Sequence, residues 1–169
     1  PKAQKRKADM LQDLTELNQM IETALISSRL DAQEHLEVMQ PVDLYELSLQ
    51  ESTHYAGVTV TGAATVVQGD PQLLRRLLRN LLDNASKYGA APIEINVTRK
   101  VWQVRDSGNG VATAQPNDLF APFARAHSGS TQGTGLGLAM VQKIAQLHGA
   151  QAKIVSKPNQ GMCVLIEFM

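Results

Sequence analysis

Three short motifs constrain the fold more than any bulk property. In order they are Asn80-Leu-Leu-Asp-Asn84-Ala-Ser-Lys87-Tyr88, Asp106-Ser-Gly108-Asn-Gly110 and Gly133-Thr134-Gly135-Leu136-Gly137-Leu138. The first requires a helix, the second a strand that ends in a turn, and the third a loop that opens a second helix. Asp70 as N-cap and Pro71 at the first helical position start the first helix, and Gly89 stops it. On that helix Asn80, Asn84, Lys87 and Tyr88 fall within an arc of roughly 100°. Leu74, Leu78, Leu81 and Leu82 point in other directions and supply core contacts. Ile93, Ile95 and Val97 alternate with Glu94, Asn96 and Thr98, as a half-buried strand does. Val101 to Asp106 pairs with it as a hairpin. Trp102, Val104 and Asp106 share one face of that strand, so the acid points inward at its end.

The rest of the chain supplies the frame. Residues 8–30 read as one helix, because Met10, Leu14, Leu17, Ile21, Ala24 and Ser28 step by fours and threes, like the seam of a helical bundle. A lone helix of this length is marginal, so the seam needs a partner. Lys2, Lys5, Arg6 and Lys7 before it read as a solvated helix start. A linker over 32–40 leads to Pro41. Asp43 caps a helix through about Tyr55, ended by Gly57, and two short strands follow near 58–61 and 65–68. Residues 107–134 form a long segment with one short helix at 117–123, and segments of that length are usually functional. A helix over 135–148 and strands over 151–156 and 162–168, joined by the turn Lys157 to Gly161, close the chain. The expected architecture is α+β. It is a two-layer α/β sandwich, with a mixed sheet covered on one face by three helices, preceded by a long N-terminal helix.

Each motif offers specific chemistry. An asparagine amide supplies a neutral hard oxygen, which suits Mg²⁺ when phosphates provide the remaining charge. Lys87 can reach a phosphate as a point charge. A buried carboxylate needs donors, and an adenine amine beside Asp106 is one; local turn amides are another. Gly108 and Gly110 let the backbone turn sharply beneath a ligand. Gly133, Gly135 and Gly137 lie where the long segment meets a helix N-terminus, whose free N–H groups bind phosphate. No Gly-Lys-Ser/Thr follows, so this is not a P-loop, and no strand precedes it as a dinucleotide fingerprint requires.

Composition excludes other classes. With 16 Lys and Arg against 16 Asp and Glu, no net field favours nucleic acid or an anionic membrane. No stretch approaches the ~18 apolar residues of a transmembrane helix. The single cysteine, Cys163, lies in an alternating apolar run and reads as a packing residue. Pro1 is not a natural start, so the chain reads as a piece of a longer protein.

The order of motifs resembles the catalytic, ATP-binding part of bacterial two-component sensor histidine kinases, within the wider fold family of gyrase, Hsp90 and MutL. Asn80 to Tyr88 is similar to the family's N box, Asp106 to Gly110 to its G1 box, Leu119 to Arg125 to its F box, and Gly133 to Leu138 to its G2 box. The Gly161 turn is similar to the weaker G3 element. The resemblance covers about 41–169, and residues 1–31 resemble the second helix of the dimerisation and phosphoacceptor hairpin.

The resemblance implies ATP and Mg²⁺ as ligands. Asn84 would ligate the metal, Asn80 would support the phosphate end, and Lys87 and Arg125 would act on phosphate charge. Tyr88 would line the nucleotide site, and Asp106 would accept the hydrogen bond of the adenine amine. Gly108, Gly110, Gly133, Thr134, Gly135, Leu136 and Gly137 would border the nucleotide, with 107–134 as a lid. The implied partners are a histidine-bearing dimerisation hairpin, a response regulator receiver domain and a second copy in the full-length protein, with no nucleic acid. The implied location is a cytoplasmic domain of a protein anchored in the inner membrane.

One element of the family pattern is missing. None of His35, His54, His127 and His148 sits in the family's phosphoacceptor box of a histidine, an acid and a nearby proline, so all four read as non-acceptors. The acceptor is expected on a helix outside this chain. His148 ends a helix, where a positive charge would favour the dipole. The alternatives to a kinase domain are an ATPase of the gyrase or Hsp90 type and a nucleotide-sensing scaffold. The ATPases place a glutamate where Asn80 stands, and an amide cannot serve as that base.

Overall fold

The computed structural model describes residues 2–32, 36–125 and 134–169. His35, His127 and Gly133 therefore lie outside the described residues. The first helix, α1 (Lys2–Ala32), is longer than its seam, because no Gly or Pro breaks its basic start. Met10, Leu14, Leu17 and Ile21 of the seam are exposed.

A strand not expected from the sequence, β1 (Gln40–Asp43), follows. It pairs antiparallel with β3 (Val66–Gly69) in a separate two-stranded sheet, with Pro41 opposite Gln68. Four residues that include a proline carry no readable alternation. Proline is tolerated there because β1 has a neighbour on one side only. Asp43 caps α2 (Leu44–Ser52), its Oδ1 accepting from Tyr45 N at 2.9 Å, and also accepts from Thr65 N at 3.2 Å. Asp70 likewise caps α3 (Pro71–Tyr88) by accepting from Gln72 N at 2.8 Å and Leu73 N at 3.2 Å.

The main sheet holds β2 (Val58–Gly62), β4 (Ile93–Val97), β5 (Val101–Arg105), β6 (Ala150–Ser156) and β7 (Met162–Phe168), in the order β2-β4-β5-β7-β6. β2 and β4 run parallel and the other neighbours antiparallel, so the sheet is mixed. The β4–β5 hairpin read from the sequence is present, with Ile95 opposite Val104. β2 and β3 part company at Gly62, whose φ is +114° and where a Cβ would collide with the backbone of Val97.

Helices α2, α3 and α4 (Gly137–Leu147) pack on one face of this sheet. Leu74, Leu78, Leu81 and Leu82 are buried as expected, joined by Leu77, and they meet Ile95, Val104, Ile144 and Ile166. Each such side chain contributes about 1.5–3 kcal/mol on leaving water. The core holds Trp102 by a polar thread: its Nε1 donates to Ser48 Oγ at 2.9 Å, which donates to Leu44 O at 2.6 Å. The other face of the sheet is polar, with Lys153 paired to Glu167 at 2.6 Å and Asn96 donating to Thr61 Oγ1 at 2.9 Å. Cys163 is buried and free, and burial pushes its thiol up. Among the described residues no helix is long and apolar enough to cross a membrane.

His148 departs from its expected role. It is half-buried, and burial holds it below the usual histidine range, so it does not serve the α4 dipole as a cation. Its Nδ1 lies 2.7 Å from Ile144 O, and its Nε2 accepts from Asp70 N at 3.1 Å. A neutral ring with the proton on Nδ1 meets both needs. It ties the end of α4 to the cap of α3.

Candidate active site

A cavity of about 540 Å³ opens between α3, the turn after β5 and the start of α4. That volume lies within the range of small-molecule sites. Asn80, Asn84, Lys87 and Tyr88 line it from the last turns of α3, and Asp106 and Gly110 line it from the turn after β5. Arg125, Thr134, Gly135 and Gly137 complete the rim. Gly108 and Leu136 are not among the lining residues. Gly108 N donates to Asp106 Oδ1 at 2.8 Å, and Leu136 N donates to Thr134 Oγ1 at 3.4 Å.

Asp106 is 4% exposed, one of three buried polar or charged side chains among the described residues. Its Oδ1 accepts from Gly108 N and, at 3.4 Å, from Met162 N. Turn amides therefore satisfy part of this carboxylate while it still faces the cavity. Three glycines crowd it. A Cβ at Gly89 would collide with the Asp106 carboxyl, one at Gly108 would sit 3.0 Å from Oδ1, and one at Gly161 would strike its carbonyl. Gly89, Gly108 and Gly161 thus let three turns close around one acid.

On the α3 wall the Nδ2 of Asn80 is buried without a hydrogen-bond partner among the described residues. A buried amide donor in that state costs about 1–3 kcal/mol until an acceptor meets it. The start of α4 faces the same space. Among the described residues no side chain caps its N-terminus, where first-turn N–H groups are of the kind that bind an anion. A Cβ at Gly137 would come 3.9 Å from Asn80 Oδ1, which shows how closely α4 approaches α3 there. Among the described residues no three His, Cys, Asp or Glu side chains cluster as a metal cage. The amide oxygen of Asn84 is of the neutral, hard kind that suits an ion whose other ligands arrive with a polyphosphate.

Tyr88 is half exposed at the mouth, and burial of its ring side raises its phenol; the charge of Arg125 opposes this and that of Glu16 adds to it. Phe120 closes the 3-10 turn Pro116–Phe120 onto the core, whereas Phe123 is exposed with φ +63°. Phe123 N donates to Gly135 O at 2.9 Å, which joins the two ends of the segment between them.

Sequence reasoning missed the contribution of α1. Glu16 and Thr23 line the cavity, Arg76 Nη2 lies 3.5 Å from Thr23 Oγ1, and Asp31 pairs with Lys143. Nothing in the α1 sequence signals this, because the contacts arise from how the helix is laid against α3 and α4. It also missed the α3 residues Arg75, Arg79 and Asp83, which line the cavity from the side facing α2.

A sheet covered on one face, with a polar helix wall facing a glycine-bordered helix start across a cavity, defines an ATPase-type α/β sandwich. The family described as histidine kinase-, DNA gyrase B- and HSP90-like ATPase matches residues 69–169, and the chain belongs to it. Sensor protein QseC of Escherichia coli is 32% identical over 173 residues, covering 94% of this chain and 38% of that protein. Sensor histidine kinase YkoH of Bacillus subtilis is 39% identical over 110 residues, covering 61% of this chain and 24% of that protein. The chain thus spans well under half the length of these curated relatives. Full-length ShkA, solved in complex with AMPPNP, superposes with a TM-score of 0.68 at 25% identity, over 90% of this chain and 35% of that one.

Proposed function

We propose that this chain is the ATP-binding catalytic part of a sensor protein-histidine kinase. It would transfer the γ-phosphoryl of ATP to a histidine on a separate helix, for relay to a response regulator aspartate. In this reading residues 41–169 are the catalytic domain, 32–40 the linker, and α1 the second helix of the dimerisation hairpin. The exposed apolar seam of α1 is then the face that meets the rest of that bundle and its second copy. Such a domain acts on the cytoplasmic side of an anchored sensor.

The observation that carries the reading is the pairing of two features across one cavity. Asp106 is a buried acid on one wall, and Asn80 Nδ2 on another is a buried donor without a partner among the described residues. The first suits the exocyclic amine of adenine, and the second suits a phosphate oxygen. Asn84 would hold Mg²⁺, which when bound screens the charge of the phosphates, and Asn80 would support the phosphate end. Lys87 and Arg125 would bring cations to the transferred group, and the first-turn N–H groups of α4 would hold the others. Phosphoryl transfer needs mainly such positioning and charge neutralisation. The amide of Asn80 cannot take a proton from water, which disfavours hydrolysis as the main reaction.

The test is incubation of the chain with Mg-ATP labelled at the γ-phosphate, with and without a dimerisation hairpin that bears an acceptor histidine. The hairpin should gain acid-labile phosphate slowly, limited by encounter, and the chain alone should gain none. Strong labelling of the chain alone would overturn the assignment of its histidines, and free phosphate release without transfer would favour an ATPase.

A further inference from the structure

At the cavity's edge, the stripe of α3 that carries Arg75, Arg79 and Asp83 is also gripped by α2 and the turn after it. Glu51 of α2 is fully buried, yet it carries a charge. Its Oε1 accepts from Arg75 Nη1 at 2.5 Å and from Arg79 Nη2 at 3.3 Å, and its Oε2 accepts from Arg79 Nε at 2.6 Å. Burial alone would raise this carboxyl, but hydrogen bonds and charge from Arg79 and Arg75 outweigh it and hold it low. Just past the end of α2, Tyr55 Oη donates to Asp83 Oδ1 at 2.8 Å. Arg75, Arg79 and Asp83 are spaced by four, so they form one line along α3.

Each cavity asparagine follows a gripped residue directly: Arg79 precedes Asn80, and Asp83 precedes Asn84. The two lines are therefore rotated about 100° from each other around the helix. A side-chain oxygen about 5.5 Å from the helix axis moves about 1 Å when α3 rolls by 10°. Mg²⁺ demands near-ideal octahedral ligation at about 2.0–2.1 Å, so a roll of that size spoils a ligand. An adenine site built on Asp106 and the turn after β5 does not feel the roll in the same way.

We propose that Tyr55 and Glu51 are positioning residues for the metal end of the site. Tyr55 acts through Asp83, and Glu51 through Arg79 and Arg75. Together they set the roll of α3 and hence the placement of Asn84 and Asn80. This rests on the reading of Asn84 as the metal ligand, so the experiment includes Asn84→Ala.

The measured quantity is the ratio of AMPPNP affinity in saturating magnesium chloride to that in EDTA, by calorimetry on the whole chain. Tyr55→Phe should lower this ratio about fivefold, the scale of one lost hydrogen bond, while affinity in EDTA stays within about twofold. Asp83→Ala should give the same loss, and the double variant no more than either alone. Asp83→Asn keeps an acceptor for Tyr55 and should keep the ratio. An unchanged ratio in Tyr55→Phe overturns the proposal, as does a loss in Asp83→Ala alone, which assigns Asp83 a direct role. A general packing defect would lower affinity equally with and without magnesium, and this too would overturn it. If Asn84→Ala keeps the full ratio, the metal reading itself fails, and the two failures are thereby distinguished.

Discussion

Asp106→Asn separates recognition of the base from maintenance of the fold. The change is nearly isosteric, and the structure dictates how the new amide must lie. Gly108 N at 2.8 Å and Met162 N at 3.4 Å both donate to Oδ1, and only the amide oxygen can accept from them. The NH₂ must then turn toward the cavity. The turn survives, so the thermal midpoint should fall by only a few degrees. An adenine amine, itself a donor, meets a donor. Losing a charge-assisted bond and gaining a mismatched one costs about 2–3 kcal/mol, which weakens ADP by about 30- to 150-fold. Inosine diphosphate carries a carbonyl where adenine carries its amine, so it should bind the variant no worse than the parent. Calorimetry with both nucleotides measures the two effects. Equal weakening of ADP and inosine diphosphate, or unchanged ADP affinity, would refute the role given to Asp106.

Three other outcomes are expected. Asn84→Ala should weaken ATP binding much more in magnesium than in EDTA, and equal loss in both would remove it as a metal ligand. Ser48→Ala leaves Trp102 Nε1 buried without its acceptor, and should cost about 1–3 kcal/mol in urea unfolding without changing nucleotide affinity. His148 is held below its unfolded value, so unfolding takes up a proton; its contribution is complete above about pH 6.5 and is lost as pH falls from there through the lower folded value. His148→Gln should therefore flatten the decline of the thermal midpoint between about pH 7 and 5, and parallel curves for parent and variant would contradict this.

The elements and the motif residues of the cavity were legible because each was written locally. Asp70-Pro71 and Gly89 bracket α3, alternation marks β4, and the glycines of the turns around Asp106 are spelled out in order. What was not legible depended on partners distant in sequence. β1 is a strand only because Val66–Gly69 pairs with it. His148 reads as a helix-end cation until Asp70 N, 78 residues away, claims its Nε2. Nothing local marks Glu51 or Tyr55, since their arginine and aspartate partners lie 24 to 28 positions on. The roles of Glu16 and Thr23 come from where α1 lies, not from any motif of its own.

The parallel pairing of β2 with β4 has a consequence for the order of assembly. Val58 to Gly62 meets Ile93 to Val97 across some 35 residues, and α3 is the connection between them. The hairpins β4–β5 and β6–β7 close over a few residues each and form early, whereas a crossover must bring distant segments together before it is rewarded. The helix that carries Asn80 and Asn84 is therefore seated by one of the least local events in the chain. Mutations in β2, far from any ligand, should slow folding while leaving the finished cavity intact.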